Sequence, residues 1–123
     1  LNIIFTYPNA DYGYNKFISE INKLNKYSNI YLIKHLGIND YYNFLRYSNC
    51  LITNSSSGII ESASFRIPTI NIGLRQKNRY APENVVHCEQ VSSKKINKEI
   101  KRHRLIMRHC IFRLWPYWYT VLG

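Results

Sequence analysis

CLITNSSSGIIESASFRIPTINIGLRQ, residues 50 to 76, sets two short apolar runs on either side of a polar turn and a helical stretch. The first run, Cys50 to Thr53, stops at Asn54-Ser55-Ser56-Ser57-Gly58. Ile59, Ile60 and Ala63 then recur at helical spacing, and Pro68 introduces the second run, Thr69 to Ile72. Apolar runs this short, bounded by turn residues, have the pattern of buried strands. Two strands separated by a helix run parallel, because parallel neighbours need a crossover rather than a tight hairpin. The segment therefore predicts a strand-helix-strand unit.

The same alternation extends in both directions. Upstream, Asn2 to Tyr7 is rich in Ile and Phe and ends at Pro8 and Asn9, as a buried strand ending in a turn would. Phe17, Ile18, Ile21 and Leu24 form an apolar stripe between Tyr14 and Lys26, with Lys16, Glu20 and Lys23 on the wet side, which predicts a helix. Asn29 to Lys34 reads as a second strand, and Asp40 as the cap of a helix turning Tyr41, Phe44 and Leu45 inward. Downstream, Val85 to Cys88 reads as a further strand. The expected fold is α/β, a Rossmann-like layer of parallel strands joined by right-handed crossovers. Ligands of such sheets sit at the carboxyl ends of the strands, so the loops Pro8 to Gly13, His35 to Gly37, Asn54 to Gly58 and Gly73 to Arg79 should share one face.

With 123 residues the chain has room for one modest domain with a real core and too few for a two-domain enzyme. Lys and Arg total 17 against 7 Asp and Glu, a balance that invites a nucleic-acid reading if it is spread over the surface. It is concentrated instead: Lys94 to Arg113 holds eight basic residues against Glu99 alone, while residues 1–93 hold nine basic and six acidic ones. No nucleic-acid partner is expected of the body of the domain. Cys50, Cys88 and Cys110 make no CxxC pair and no metal-ligand spacing with His35, His87, His103 or His109, so no metal and a reduced, cytoplasmic setting are the expectation. Leu1 opens directly in an apolar run, as a chain starting mid-protein would, and nothing there resembles a signal peptide. Leu105 to Leu122 is apolar and aromatic, but Arg108, Arg113 and Pro116 argue against a membrane span.

The turn Asn54 to Gly58 between a strand and a helix suits a phosphate: the amides at a helix start attract anions, and serine hydroxyls add donors. Gly58 would let a ligand approach the backbone, and Glu61, one turn on, can accept hydrogen bonds from ribose hydroxyls. An ordinary serine cap accounts for the same residues. Arg75 and Gln76 follow the next strand on the same expected face, where a guanidinium pairs with phosphate oxygens. A solvated surface arginine is the plainer alternative, and Lys77 and Arg79 are expected to be solvated.

Four ordered motifs then resemble one family. The run NSSSGIIESASFRIPTINIGLRQKNR at Asn54 to Arg79 resembles the signature of hydrolysing UDP-N-acetylglucosamine 2-epimerases, the group that opens sialic acid and related nonulosonic acid biosynthesis. FTYPNAD at Phe5 to Asp11, IKHLG at Ile33 to Gly37 and ENVVH at Glu83 to His87 match in order and spacing, so the resemblance covers roughly residues 1–90. It implies the UDP-binding, C-terminal half of a two-domain GT-B-type fold. By the resemblance, Ser55 and Ser56 bind the diphosphate beside Gly58, Glu61 the ribose, Arg75 with its neighbour Gln76 the phosphates, and Asn9 another part of the nucleotide, with Leu36 near the uracil. Lys34 and His35 fall where vertebrate relatives carry a Lys-His pair tied to feedback by an activated sialic acid; a structural histidine at a strand end is the alternative. The implied reaction eliminates UDP across the sugar C1–C2 bond and hydrates the glycal-type intermediate, without metal or redox cofactor. The general acid and base are implied to lie upstream of Leu1, in a missing N-terminal domain, and the intact enzyme to be a homo-oligomer. Glu61, Asp11 and Glu83 show no matched acid-base spacing.

The expected organisation is a nucleotide domain over residues 1–93, followed by a basic helical segment that runs into an aromatic tail over residues 94–123. RHRLIMRHCIFRLWPYWYTVLG, from Arg102 to Gly123, matches neither the family nor the composition before it, which suggests a frameshifted or truncated reading frame. Two other functions fit parts of the sequence. A GT-B glycosyltransferase would bind UDP but keep and transfer the sugar; Arg75-Gln76 after Asn71-Ile72-Gly73 favours the epimerase. A noncatalytic nucleic-acid or membrane-surface binder would act through the basic, aromatic tail.

Overall fold

The computed structural model describes residues 2–7, 14–106 and 120–122. The elements are β1 (Asn2–Thr6), α1 (Tyr14–Asn22), β2 (Ile30–Ile33), α2 (Ile38–Arg46), β3 (Cys50–Thr53), α3 (Ser56–Ser64), β4 (Thr69–Ile72), β5 (Val85–Cys88), α4 (Ser93–Ile106) and β6 (Thr120–Leu122). The expected strands and helices are present. β3, β4 and β5 begin and end where the apolar runs do, and α1 tightens into a 3-10 turn over Lys23–Lys26, as helix ends often do.

The strands form one sheet in the order β2-β1-β6-β3-β4-β5. β1 pairs parallel with β2, β3 with β4, and β4 with β5, in registers such as Ile4 opposite Tyr31 and Ile52 opposite Ile70. Parallel strands with intervening helices make the expected α/β layer. β3 and β4 are buried at every position, the mark of strands covered on both faces. Alternate side chains feed two cores. Ile4, Tyr41, Leu45, Leu51 and Ile67 pack together with Leu36, Phe44 and Phe65 against them. On the opposite face Cys50, Ile52, Ile70, Ile72 and Cys88 pack under Ile96 and Ile100 of α4. The basic helical segment after residue 93 is thus anchored to the sheet by its apolar stripe, while Lys94, Lys95, Lys98 and Lys101 stay exposed.

Two expectations need correction. Asp40 does not cap α2. The cap position is Gly37, whose extended backbone lets its carbonyl accept the first helical bond from the Tyr41 amide at 3.0 Å; Asp40 sits in the first turn, where its charge faces the positive end of the helix. The tail also holds more than a helix. Thr120–Leu122 forms a strand in the middle of the sheet, antiparallel to both neighbours, with Val121 opposite Ile3 on one side and Cys50 on the other. Two facing rows of backbone donors and acceptors give it a place.

The turn from α3 into β4 is tight. The Arg66 amide donates to the Ala63 carbonyl and the Ile67 amide to the Ser62 carbonyl, both at 3.0 Å, and Arg66 takes a left-handed φ of 54°. Glycine is usual at that position of this helix-ending motif, because a Cβ there is strained. Replacing Arg66 with glycine is therefore expected to stabilise the fold by about 0.5–1 kcal/mol, read as a higher thermal unfolding midpoint.

Cys50 and Cys88 are buried free thiols. Burial pushes the Cys50 thiol up to about 12, so the reactive thiolate is suppressed at pH 8. Iodoacetamide at pH 8 is expected to leave Cys50 unmodified in the folded chain and to label it once denaturant is added, as peptide mass mapping would show.

Candidate functional site

Because β2, β3 and β4 run the same way, the segments that leave their carboxyl ends open along one edge of the sheet. These are His35 to Gly37, Asn54 to Gly58 and Gly73 to Arg79. The loop Pro8 to Gly13, with Asn9 and Asp11, lies outside the described residues. The edge is also where strand order reverses: β1 leads outward to β2 on one side, β3 to β4 and β5 on the other. Such reversal points form the ligand crevices of open α/β sheets.

At the centre of this edge β3 ends in a short polar turn held from below. The Ser55 amide donates to Thr53 Oγ1 at 3.0 Å, which fixes the chain as it leaves the strand. Ser55 takes the cap position of α3 with extended angles, φ −94° and ψ 136°, but its hydroxyl makes no capping bond. Instead Ser55 Oγ and Ser57 Oγ lie 2.9 Å apart and hydrogen-bond each other. The first intrahelical bond runs from the Ile59 amide to the Ser55 carbonyl. The amides of Ser56, Ser57 and Gly58 precede it, in the first turn where a helix has no carbonyl to offer them. Three N–H groups, flanking hydroxyls and the positive end of the helix dipole make this turn chemically suited to an anion.

Gly58 contributes in a way that differs from the expected one. A Cβ at this position would lie 3.1 Å from Thr53 Oγ1 and 3.3 Å from Thr53 Cγ2. The direction a side chain would take is filled by β3, so the glycine brings helix and strand close together and leaves undisturbed the hydroxyl that fixes Ser55.

The neighbouring loop is tied to this turn. Gln76 is buried; its Nε2 donates to the Asn54 carbonyl at 3.0 Å, and its Oε1 accepts from Arg79 Nη1 at 3.2 Å. Gln76 thus fastens the loop after β4 to the turn after β3. Arg75, beside it, is exposed, as are Lys77 and Arg79, with Lys77 Nζ 3.0 Å from Glu89 Oε2. Gly73, at φ 78°, and Asn78, at φ 63°, supply the left-handed positions that this loop needs.

Glu61 faces a partner that spacing did not suggest. Tyr41, fully buried on α2, donates its hydroxyl to Glu61 Oε2 across twenty residues of sequence. Burial raises the Glu61 carboxyl above the usual carboxylate range, and the Tyr41 hydrogen bond pulls partly the other way. The Tyr41 hydroxyl is pushed far up by burial, with the Glu61 hydrogen bond and charge adding to it, so it stays a donor. A carboxylate offers about four acceptor sites, and one donor does not exhaust them. Leu36 is half-buried and packs against the core around Tyr41 and Leu51, while Lys34 and His35 are exposed.

The structure therefore gathers Ser55, Ser56 and Gly58 at the start of α3 and Arg75 and Gln76 on the loop linked to it, with Glu61 one turn into α3. Sequence reasoning missed Thr53 and Tyr41, which hold Ser55 and Glu61 from beneath. Both sit in apolar runs and read as core. Among the described residues no cluster of three His, Cys, Asp or Glu could hold a metal, and no helix is long and apolar enough to cross a membrane.

The family model for UDP-N-acetylglucosamine 2-epimerase matches residues 1–109, past the four motifs and through α4. The chain is 37% identical over 89 residues to the UDP-N,N'-diacetylbacillosamine 2-epimerase (hydrolyzing) of Legionella pneumophila, covering 72% of this chain and 24% of that protein. It is 38% identical over 110 residues to the GDP/UDP-N,N'-diacetylbacillosamine 2-epimerase (hydrolyzing) of Campylobacter jejuni, covering 83% and 28%. A polysialic acid biosynthesis protein of Escherichia coli, P7, is 41% identical over 86 residues, covering 69% and 22%. The chain thus spans about a quarter of the length of the curated relatives it matches. On the family match over most of its length, the chain belongs to the UDP-N-acetylglucosamine 2-epimerase family.

Proposed function

We propose that this chain is the nucleotide-holding part of a hydrolysing 2-epimerase acting on a UDP-linked N-acetylated sugar. The observation that carries the reading is the uncapped start of α3 at the strand-order reversal, joined through Gln76 to the loop that bears Arg75. In this reading the diphosphate lies on the first-turn amides of α3 and the hydroxyls of Ser55 and Ser56, and the Arg75 guanidinium neutralises its oxygens. Glu61, oriented by Tyr41, accepts the ribose hydroxyls through its remaining lone pairs. Gly58 and Gln76 serve by shaping the site: one seats α3 on β3, the other clamps the two loops together. Leu36, after β2, is assigned to the uracil by the family resemblance, as is Asn9, which lies outside the described residues, to another part of the nucleotide.

The chemistry follows from what such a site does to a leaving group. Loss of UDP from the sugar puts negative charge on the diphosphate, and donors already aimed at those oxygens favour its departure. Water then adds to the glycal-type intermediate, giving a 2-epimerised free sugar of the N-acetylmannosamine class. The acid and base that move protons at the sugar are proposed to lie in sequence outside this chain, in a first domain that closes over the same edge. The names of the relatives point to either a mono- or a diacetamido sugar.

Titration of UDP into ¹⁵N-labelled chain tests the site. Weak binding is expected, because one wall of an interdomain pocket does not enclose a ligand, with shifts clustered at Ser55, Ser56, Glu61 and Arg75. A tight site elsewhere would overturn the assignment. Joining the chain to the first domain of the Campylobacter jejuni relative and assaying for free 2-epimerised sugar tests the reaction; glycosyl transfer without epimerisation would move the reading to a glycosyltransferase.

A further inference from the structure

The described cations of α4 all lie on one side of the helix. Ile96 and Ile100 pack onto Cys50, Ile52, Ile70, Ile72 and Cys88, while Lys94, Lys95, Lys98, Lys101 and Arg102 are exposed. An α-helix turns about 100° per residue, which places the five cations within an arc of about 120°. That arc is centred opposite the midpoint between Ile96 and Ile100. Glu99, the one acidic residue of the helix, lies beside the arc with its side chain 17% exposed and Arg102 Nη1 3.8 Å from its Oε2. Lys94, Lys98 and Lys101 make no ion pair among the described residues. Together with Ser92, Lys95 and Asn97 they line a hollow of about 750 Å³.

Five like charges along about 12 Å of helix repel one another and add nothing to the packing, which the apolar stripe supplies. They make a positive strip on the face of the sheet opposite α3, since α3 packs through Gly58 against Thr53 and Leu51. The strip suits an anionic partner that is broad and undemanding in geometry. Four of the five cations are lysines, compact charges on flexible stems that reach from around the arc to a common plane. Phosphates of nucleic acids are best gripped by forked guanidinium donors, and single strands stack on aromatic rings. The arc holds one arginine and no aromatic side chain among the described residues. Because Ile96 and Ile100 are committed to the sheet, the helix meets a surface by charge, at the level of headgroups, without inserting. About four to eight basic residues on an amphipathic helix is the composition of sites for acidic lipids.

We propose that the outer face of α4 is a docking surface for an acidic phospholipid bilayer, held by Lys94, Lys95, Lys98, Lys101 and Arg102. The sheet then lies stacked on α4 away from the bilayer, and its carboxyl edge, with Ser55 and Arg75, stays open at the side. Attraction is screened by salt and is shared among the cations at about fivefold in partition for each. The surface is separate from the candidate nucleotide site and does not depend on that reading.

Sedimentation of the full chain with vesicles tests this. Vesicles of phosphatidylcholine and phosphatidylglycerol in equal parts should carry the chain down, and vesicles of phosphatidylcholine alone should not. Raising salt from about 0.1 M to about 1 M should release it, as the screening length falls from about 10 Å to about 3 Å. The triple variant Lys94→Glu, Lys98→Glu, Lys101→Glu should lose more than about 100-fold in partition. A matched triple, Lys16→Glu, Lys26→Glu, Lys34→Glu, makes the same change in net charge at other exposed lysines and should lose less than about tenfold. Circular dichroism checks that each variant is folded. If either glutamate triple unfolds, the same positions changed to glutamine give the comparison, with a loss of about 100-fold expected for α4. No sedimentation with the acidic vesicles, equal losses in the two triples, or binding that survives the α4 changes would each overturn the proposal. So would tighter binding of duplex DNA or of polyglutamate than of the vesicles at the same salt, which would give the strip to a nucleic acid or to an acidic protein segment. No nucleotide enters these measurements, so their failure leaves the nucleotide site to be judged by its own titration.

Discussion

Arg75→Ala is expected to weaken UDP binding roughly 10- to 150-fold, the loss that follows when a charge-assisted hydrogen bond of about 1.5–3 kcal/mol is removed. The side chain is exposed in the ligand-free chain, so its removal should leave the unfolding midpoint within about 0.5 kcal/mol of the parent. That separation of effects is the useful part. Arg75→Lys should recover only part of the affinity, because an ammonium cannot match the forked donation of a guanidinium to a diphosphate. Calorimetric titration alongside thermal unfolding reads both quantities. Unchanged affinity in Arg75→Ala would remove this residue from the site.

Tyr41→Phe should act in the opposite sense, through the fold. The phenol is buried and its hydroxyl is a donor to Glu61; without it a part-buried carboxylate loses its partner. The expected loss is about 1–2 kcal/mol near pH 7.5, the lower part of the range for unsatisfied charged groups because Glu61 keeps some contact with water. The pH dependence gives the cause. Glu61 is raised in the folded chain, so the folded state holds the proton more strongly than the unfolded one. Its contribution is fully favourable below the ordinary carboxylate range and is lost as pH rises through the raised value. Tyr41→Phe removes the bond that offsets burial and raises the carboxyl further. The stability gap between parent and variant should therefore be widest above neutrality and close as pH falls toward about 4. Denaturant unfolding at pH 4 and pH 7.5 measures it; a gap that is the same at both would assign the loss to packing alone. Glu61→Gln, which keeps an acceptor for the phenol and abolishes the charge, should be pH-independent in the same window.

The candidate site shows where local pattern suffices and where it does not. Ser55, Ser56 and Arg75 are legible because a strand-turn-helix unit writes its own signature: an apolar run, a polar turn, a helical stripe and a second run. Gly58 is legible as a residue, but its packing against Thr53 is not, because that depends on the path of β3 behind it. Gln76 looked like a companion of Arg75. Its burial against the Asn54 carbonyl makes it a clamp, a role set by the distance between two loops 22 residues apart.

Sequence by itself determined the alternation of strands and helices, the parallel sense of β1 to β5, the apolar stripe of α4 and the four motifs that mark the family. These are consequences of side-chain period and turn chemistry, which act over a few residues at a time. Tertiary structure alone decided that Tyr41 holds Glu61, that Thr53 holds Ser55, and that Thr120–Leu122 lies between β1 and β3. The first and third pair groups from distant parts of the chain, and the second depends on the path of β3 as it enters the turn. Such groups must find partners wherever the packed sheet brings them, and spacing along the chain carries no record of which partner that will be.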